Sequence, residues 1–283
     1  MTIARTADLV AEAGAARGAV LAFNVITLEH AEGIVAGLER AGAPGILQVS
    51  ENAVRYHHGQ LRPILAACRA LAEQARIGAA VHLDHVQDEA LTTEGIALAA
   101  DHGVSSIMVD AAHLPDEENV VTTAARATRA RLVGLWVEAE LGAIGGKGGA
   151  HTPGVRTDPD EAREFVARTG VDALAVAVGS SHAMTSAEAT LDIGLIERLA
   201  AAVPVPLVLH GSSGVTPESL RAAIRAGIRK VNVGTALNVA YTGRIRALLA
   251  DDPRVTDPRT YLAPARDAVA DAVRDVCALV RHL

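Results

Sequence analysis

Eight short apolar runs, each of strand length and separated by helix-like segments, constrain the fold of this chain more than any other feature. They are AVLAFNV (19–25), GILQVS (45–50), AAVHLD (79–84), SSIMVD (105–110), LVGLWVEAE (132–140), DALAVAVG (172–179), VPLVLHG (205–211) and KVNVGT (230–235). Each is rich in Val, Ile or Leu, as expected of strands covered on both faces. The segments between them carry helix punctuation. Asp158 and Pro159 fit an N-cap and first turn, with Glu161 next and Gly170 beyond the end; Thr216, Pro217 and Gly227 repeat the pattern. Strictly alternating strands and helices predict a parallel α/β fold, and a count of eight favours a closed (β/α)8 TIM barrel over an open doubly wound sheet. No glycine fingerprint follows the first run, and no long polar linker divides the chain, so residues 1–283 are read as one barrel domain with a C-terminal helix.

Composition supports this and excludes some partners. Half of the 283 residues are hydrophobic but only 2% are aromatic, so the core must be built from Ala, Val, Leu and Ile. A net charge of −7 argues against a nucleic-acid or anionic-membrane surface. No apolar run approaches the ~20 residues that span a bilayer, and the N-terminal stretch lacks a signal-peptide core. Cys68 and Cys277 have no metal or redox spacing. A cytoplasmic protein is expected.

Polar residues collect where the strands end. Asn24 and Ser50 close the first two runs, Asp84 with His85 the third, Asp110 the fourth, and Glu138 with Glu140 the fifth. His182 follows the sixth, His210 ends the seventh and Asn232 lies late in the eighth. In a barrel all these ends meet at one mouth, where catalytic groups sit. Singly, Asp84 or Asp110 could cap a helix and a lone His is commonly structural; so many together point to a site. Three histidines on separate strand ends suit Zn²⁺, because neutral imidazole is a good ligand and three ligands leave one position open. His82 lies two residues before Asp84, on the same strand face, and either supports the site from behind or fills the barrel interior. GSSG (211–214) and NVGT (232–235) offer small residues after strands seven and eight, where barrels commonly hold phosphate.

VHLDH (81–85), SIMVDAAHLP (106–115), VEAELGAIGG (137–146), LAVAVGSSHA (174–183), LVLHGSSG (207–214) and KVNVGTALN (230–238), in this order, resemble the class II, metal-dependent ketose-bisphosphate aldolases, the group that includes the fructose- and tagatose-bisphosphate enzymes. The likeness runs from AFN (22–24) to DPRTYLAPAR (257–266). It implies that His85, His182 and His210 hold a catalytic zinc, and that Asp84 exchanges a proton with the substrate hydroxyl that becomes the aldehyde oxygen. It further implies that Ala183, Gly211, Ser212, Ser213, Asn232, Val233, Gly234 and Thr235 hold dihydroxyacetone phosphate, with a monovalent cation nearby. Glu140 matches a carboxylate beside the metal, a candidate for an alternative metal position, and Asn24 and Ser50 match substrate-side positions. A homodimer or homotetramer is implied by the resemblance alone.

The chain departs from the family's pattern in three places. Ala183 stands where Gly is usual, and Ala111-Ala112 where Gly-Ser is common. The loop GGKGGAHTPGV (145–155), expected as a glycine-hinged lid, carries no carboxylate where family members have acidic residues that move the C3 proton. His151 is the candidate replacement, since imidazole works near neutral pH. The only lysines are Lys147 in this loop and Lys230, which is expected to point away from the mouth and so disfavours a Schiff base. Arg156, Arg259 and Arg266 are candidates for an anionic group at the far end of the substrate. The expected function is cleavage or formation of a phosphorylated ketose, giving dihydroxyacetone phosphate and an aldehyde. The alternative is a non-catalytic barrel that binds phosphosugar and metal.

Overall fold

The computed structural model describes residues 3–141, 156–180 and 190–281. Eight strands form a closed parallel barrel in sequence order, as expected. They are β1 Val20–Asn24, β2 Gly45–Ser50, β3 Ala79–Val86, β4 Val104–Val109, β5 Trp136–Glu140, β6 Ala173–Ala175, β7 Leu207–Leu209 and β8 Ile228–Val233. Before β1 comes α1 (Thr6–Ala15). Around the barrel run α2 (Leu28–Ala41), α3 (Glu51–Tyr56), α4 (Leu61–Gln74), α5 (Glu89–His102), α6 (Asp116–Leu132) and α7 (Pro159–Thr169). They are followed by α8 (Ile193–Ala202), α9 (Pro217–Ala226), α10 (Thr235–Asp251) and α11 (Arg259–Val280). The expected caps are in place: Asp158 Oδ1 accepts the N–H of Asp160 at 2.8 Å, and Thr216 accepts that of Ser219 at 3.2 Å.

Strand limits differ from the apolar runs where hydrophobicity outlasts pairing. The fifth strand begins at Trp136 because Leu132 still belongs to α6, and β6 and β7 keep only three paired residues each. Val176 and Val178 stay buried beyond the end of β6, so the run recorded burial and not sheet.

Period-two alternation sorts the strand residues into two cores. Leu21, Phe23, Leu47, Val49, Val81 and Leu83 point outward to the helices. Val20, Ala22, Ile46, Ala80, Met108 and Trp136 point into the barrel, where α1 closes the lower end with Leu9 and Val10. The same inward rows continue upward as Asn24, Gln48 and Ser50, His82 and Asp84, Glu138 and Glu140, and Lys230 and Asn232. Register aligns them, with Gln48 opposite His82 and Ser50 opposite Asp84. The apolar floor therefore gives way to a polar mouth two residues higher on most strands.

The last helix, α11, lies against α2 with almost no gap. A Cβ added at Gly37 would stand 2.5 Å from the Ala270 carbonyl oxygen and 2.6 Å from Val273 Cβ. Gly37→Ala should therefore push α11 off α2 and cost about 1–3 kcal/mol, the usual price of overpacking. Thermal denaturation checks this, and an unchanged melting temperature would show that the two helices can separate freely.

Candidate active site

One feature of β3 makes the site possible. Adjacent residues on a regular strand face opposite sides, so Asp84 and His85 should not both reach the mouth. The pairing of β3 with β4 shifts register between Leu83 and Val86, and His85 takes a left-handed backbone conformation with φ of 48°. This bulge turns both side chains toward the cavity. Asp84, His85 and His210 each offer a ligand atom, all within 4.8 Å of one another. The proposed third histidine, His182, lies outside the described residues, as do Ala183 and His151.

The two described histidines are oriented by carboxylates. His85 Nδ1 is 2.9 Å from Asp110 Oδ2, and His210 Nε2 is 3.0 Å from Glu138 Oε1. Such partners fix ring orientation and tautomer in metal sites. A metal would then take Nε2 of His85 and Nδ1 of His210. Glu140 Oε2 stands 3.4 Å from that His210 Nδ1, so the carboxylate lies beside the same position. The residues present thus fit a divalent ion.

Charge tells the same story. Asp84, Asp110, Glu138 and Glu140 are all buried, and among the described residues Lys230 is the one buried Lys or Arg beside them. Burial would lower His85, but Asp84, Asp110 and Glu140 outweigh it and push the ring up to about 10. Burial is likewise overcome at His210 by hydrogen bonds to Glu138 and Glu140, which raise it. Both rings register a local shortage of positive charge, which a divalent ion would meet. Burial alone would raise Asp84, yet the charge on His85, the His82 ring close by and the Lys230 ammonium hold it well below the usual carboxylate range. Asp84 is therefore an ionised base. Its two oxygens are held by Asn232 Nδ2 and Gln48 Nε2, each at 3.4 Å, and Gln48 also donates to Asn24 Oδ1.

The cavity over these groups has a volume of about 530 Å³. Asn24, Ser50, Asp110 and Glu140 line it, as do the two small-residue turns, through Gly211 to Ser213 and through Asn232, Gly234 and Thr235. Gly211 has φ of 66°, a conformation suited to glycine, and opens a single 3₁₀ turn; Ser212 Oγ donates to the Asn232 carbonyl at 2.6 Å and ties the two turns together. Gly234 precedes the N-terminus of α10, and a Cβ there would meet Asn24 Nδ2 at 3.1 Å. Helix N-termini and closely approaching backbone favour an anion. Val233 is an exception among the expected substrate contacts: its side chain packs into the outer core, leaving only its backbone to contribute.

Several expectations are resolved by the geometry. His82 does not line the cavity. Its Nδ1 is 2.7 Å from Ser106 Oγ, and its Nε2 is 3.8 Å from Asp84 Oδ1, so it both fills the interior and backs the site. Ser50 lines the mouth and also caps α3, accepting the Ala53 N–H at 3.2 Å. Lys230 corrects the expectation made for it. It sits midway along β8, fully buried and inward, with Nζ 2.8 Å from both Glu138 Oε2 and Asn232 Oδ1. It lies directly beneath the mouth rather than pointing away from it. Schiff-base chemistry is disfavoured because this ammonium is locked in a buried ion pair. Arg259 and Arg266 pair with Asp257 and Glu32, and neither they nor Arg156 line the cavity; among the described residues Arg55 is the one Arg or Lys that does.

Glu138 was placed at the mouth without a role of its own, whereas Gln48 and Lys230 were missed as site residues. Each of these two lies two positions before one that was recognised, namely Ser50 and Asn232. Strand parity alone could have found them.

A family model described as fructose-bisphosphate aldolase class-II matches residues 4–282. A fructose-bisphosphate aldolase of Geobacillus stearothermophilus is 38% identical over 277 residues, covering 96% of this chain and 95% of its own length. A probable fructose-bisphosphate aldolase of Bacillus subtilis is 39% identical over 259 residues, covering 90% and 89%. Among solved structures, the YdjI aldolase of Escherichia coli K12 superposes with a TM-score of 0.84 at 29% identity, over 99% of this chain and 98% of its own. A putative fructose-1,6-biphosphate aldolase of Coccidioides immitis also gives 0.84, at 28% identity over 98% and 96%.

Proposed function

Because the chain belongs to the class-II fructose-bisphosphate aldolase family and is an aldehyde-lyase, we propose that it is a zinc enzyme that cleaves a phosphorylated ketose to dihydroxyacetone phosphate and an aldehyde. The observation that carries this is an ionised, buried Asp84 packed against His85 and His210, under a cavity rimmed by two anion-binding turns. Imidazoles backed by carboxylates suit zinc among divalent ions. A bound divalent ion supplies Lewis acidity for the negative charge that develops on the substrate oxygens.

The chain's own residues supply the rest. The turns at 211–213 and 232–235 hold the C1 phosphate and so fix the ketose across the mouth. Asp84 takes the proton of the C4 hydroxyl as the C3–C4 bond breaks. The hydroxyl oxygen becomes that of the aldehyde, and the bonding electrons pass to the dihydroxyacetone phosphate fragment as its enediolate. Gln48 and Asn232 keep the carboxylate aimed. A proton must then reach C3, and His151 is the residue proposed for that step. Arg55, at the lip of the cavity, suits a second anionic group on the aldehyde half, which favours a ketose bisphosphate over a ketose 1-phosphate. A protein that only bound phosphosugar would have no use for a base at Asp84.

The testing experiment is a cleavage screen over ketose bisphosphates and 1-phosphates with and without chelator, together with solvent proton exchange into dihydroxyacetone phosphate. About one tightly held zinc per chain, with cleavage lost on chelation and restored by zinc, is the expected result. Metal binding without cleavage of any ketose phosphate and without exchange would overturn it. A cytoplasmic setting is part of this proposal; among the described residues no helix is long and apolar enough to cross a membrane.

A further inference from the structure

We propose that Glu51, a buried carboxylate with no part in the chemistry above, is a positioning residue that clamps the turn after β3 and so holds His85 in its ligating conformation. The inference rests on the reading of His85 as a metal ligand. Glu51 opens α3 and is only 4% exposed. Its Oε2 accepts two consecutive backbone N–H groups from the turn between β3 and α5, those of Gln87 at 2.6 Å and Asp88 at 2.9 Å. Its Oε1 receives the guanidinium of Arg55 from the cavity lip. Hydrogen bonds to an ionised acceptor are the strong kind, and here they join two neighbouring βα loops of the barrel mouth.

What the clamp holds is the bulge. His85 has a left-handed backbone that a side chain beyond Cβ ordinarily avoids. Such conformations persist only where the surroundings over-determine them. Gln87, two residues on, is pinned through its backbone by Glu51, and its side chain then turns back to the site. Gln87 Nε2 donates to Asp110 Oδ2 at 3.1 Å, and that oxygen also accepts from His85 Nδ1 at 2.9 Å. Asp110 Oδ1 accepts the Ala112 N–H at 3.2 Å. An unbroken path therefore runs from Glu51 through Gln87 and Asp110 to the imidazole. Without Glu51, the Gln87 and Asp88 N–H groups lose their carboxylate acceptor and the turn can relax toward an ordinary strand exit, which would carry the His85 ring away from Asp84 and His210.

The test reads the metal site directly and does not depend on aldol cleavage. Metal-stripped wild type, Glu51→Ala and Glu51→Gln are titrated with Zn²⁺ against a chromophoric chelator. The visible spectrum of each Co²⁺-loaded protein and the melting temperature of each metal-free protein are recorded alongside. Glu51→Ala should weaken Zn²⁺ binding by about tenfold or more, the usual scale for groups that orient metal ligands, and should change the Co²⁺ spectrum. Glu51→Gln, which keeps an acceptor oxygen, should fall between Glu51→Ala and wild type. Wild-type affinity and spectrum in Glu51→Ala, however far its melting temperature drops, would reduce Glu51 to a structural residue and overturn the proposal. If Glu51→Ala does not fold, wild-type Zn²⁺ affinity in Glu51→Gln overturns it equally. A wild type that binds neither ion would instead overturn the metal-centre reading on which the proposal stands.

Discussion

Asp84→Asn should lower kcat for ketose phosphate cleavage by about 10²–10⁴-fold, the range for loss of a positioned general base. Asn matches Asp in shape, so the cavity and the bond from at least one of Gln48 or Asn232 survive. What is lost is the ability to accept a proton. Because Asp84 serves the C4 oxygen and not C3, the variant should still hold about one zinc per chain and still exchange a proton of dihydroxyacetone phosphate with solvent. Cleavage lost while exchange persists is the signature of a base acting on the aldehyde side. Full activity in Asp84→Asn would remove Asp84 from the mechanism. Parallel loss of exchange and of zinc would make it chiefly a structural or metal-holding group.

Lys230→Met should be the most destabilising single change in the barrel interior. The ammonium is fully buried and bonded at 2.8 Å to both Glu138 and Asn232. Burial opposes ionisation of Glu138, but the Lys230 charge and a hydrogen bond from His210 overcome it and hold the carboxyl down to about 2. Without Lys230, Glu138 is a buried anion whose main counter-charge is gone. Breaking one side of a buried pair costs about 3–5 kcal/mol. For a chain of this size that is a fall in melting temperature on the order of ten degrees. Adding Glu138→Gln to Lys230→Met removes the stranded charge while keeping an acceptor for His210 Nε2, and should recover a large part of the loss. Calorimetry of the single and double variants decides. A double variant no more stable than the single one would mean that Lys230 matters for packing rather than for charge.

Lys230 also shows how far the strand pattern reaches. Placed near the start of its apolar run, it was expected to face away from the mouth. Its strand begins two residues earlier, at Ile228, which puts Lys230 midway along β8 in the row that ends in Asn232. A charged residue in a barrel interior is unfavourable unless paired. Its partner, Glu138, is 92 residues away in sequence, and no local pattern reports such a pairing. Glu51 was overlooked for a related reason: it gains its role from a neighbouring loop rather than from its own segment.

The sequence by itself determined the eight-stranded closed barrel and the end of it at which polar strand residues collect. These follow from local periodicity and from the geometry of parallel strands, which any chain with this alternation must obey. Only the tertiary structure decided that Asp84 and His85, adjacent in the chain, face the same cavity. That depends on a bulge between β3 and β4 and on a left-handed residue, and neither is written in the local pattern of residue types. It also decided which carboxylate orients which imidazole and which arginine reaches the mouth. Those pairings join residues from different strands, so their energies are set by distances that exist only once the barrel has closed.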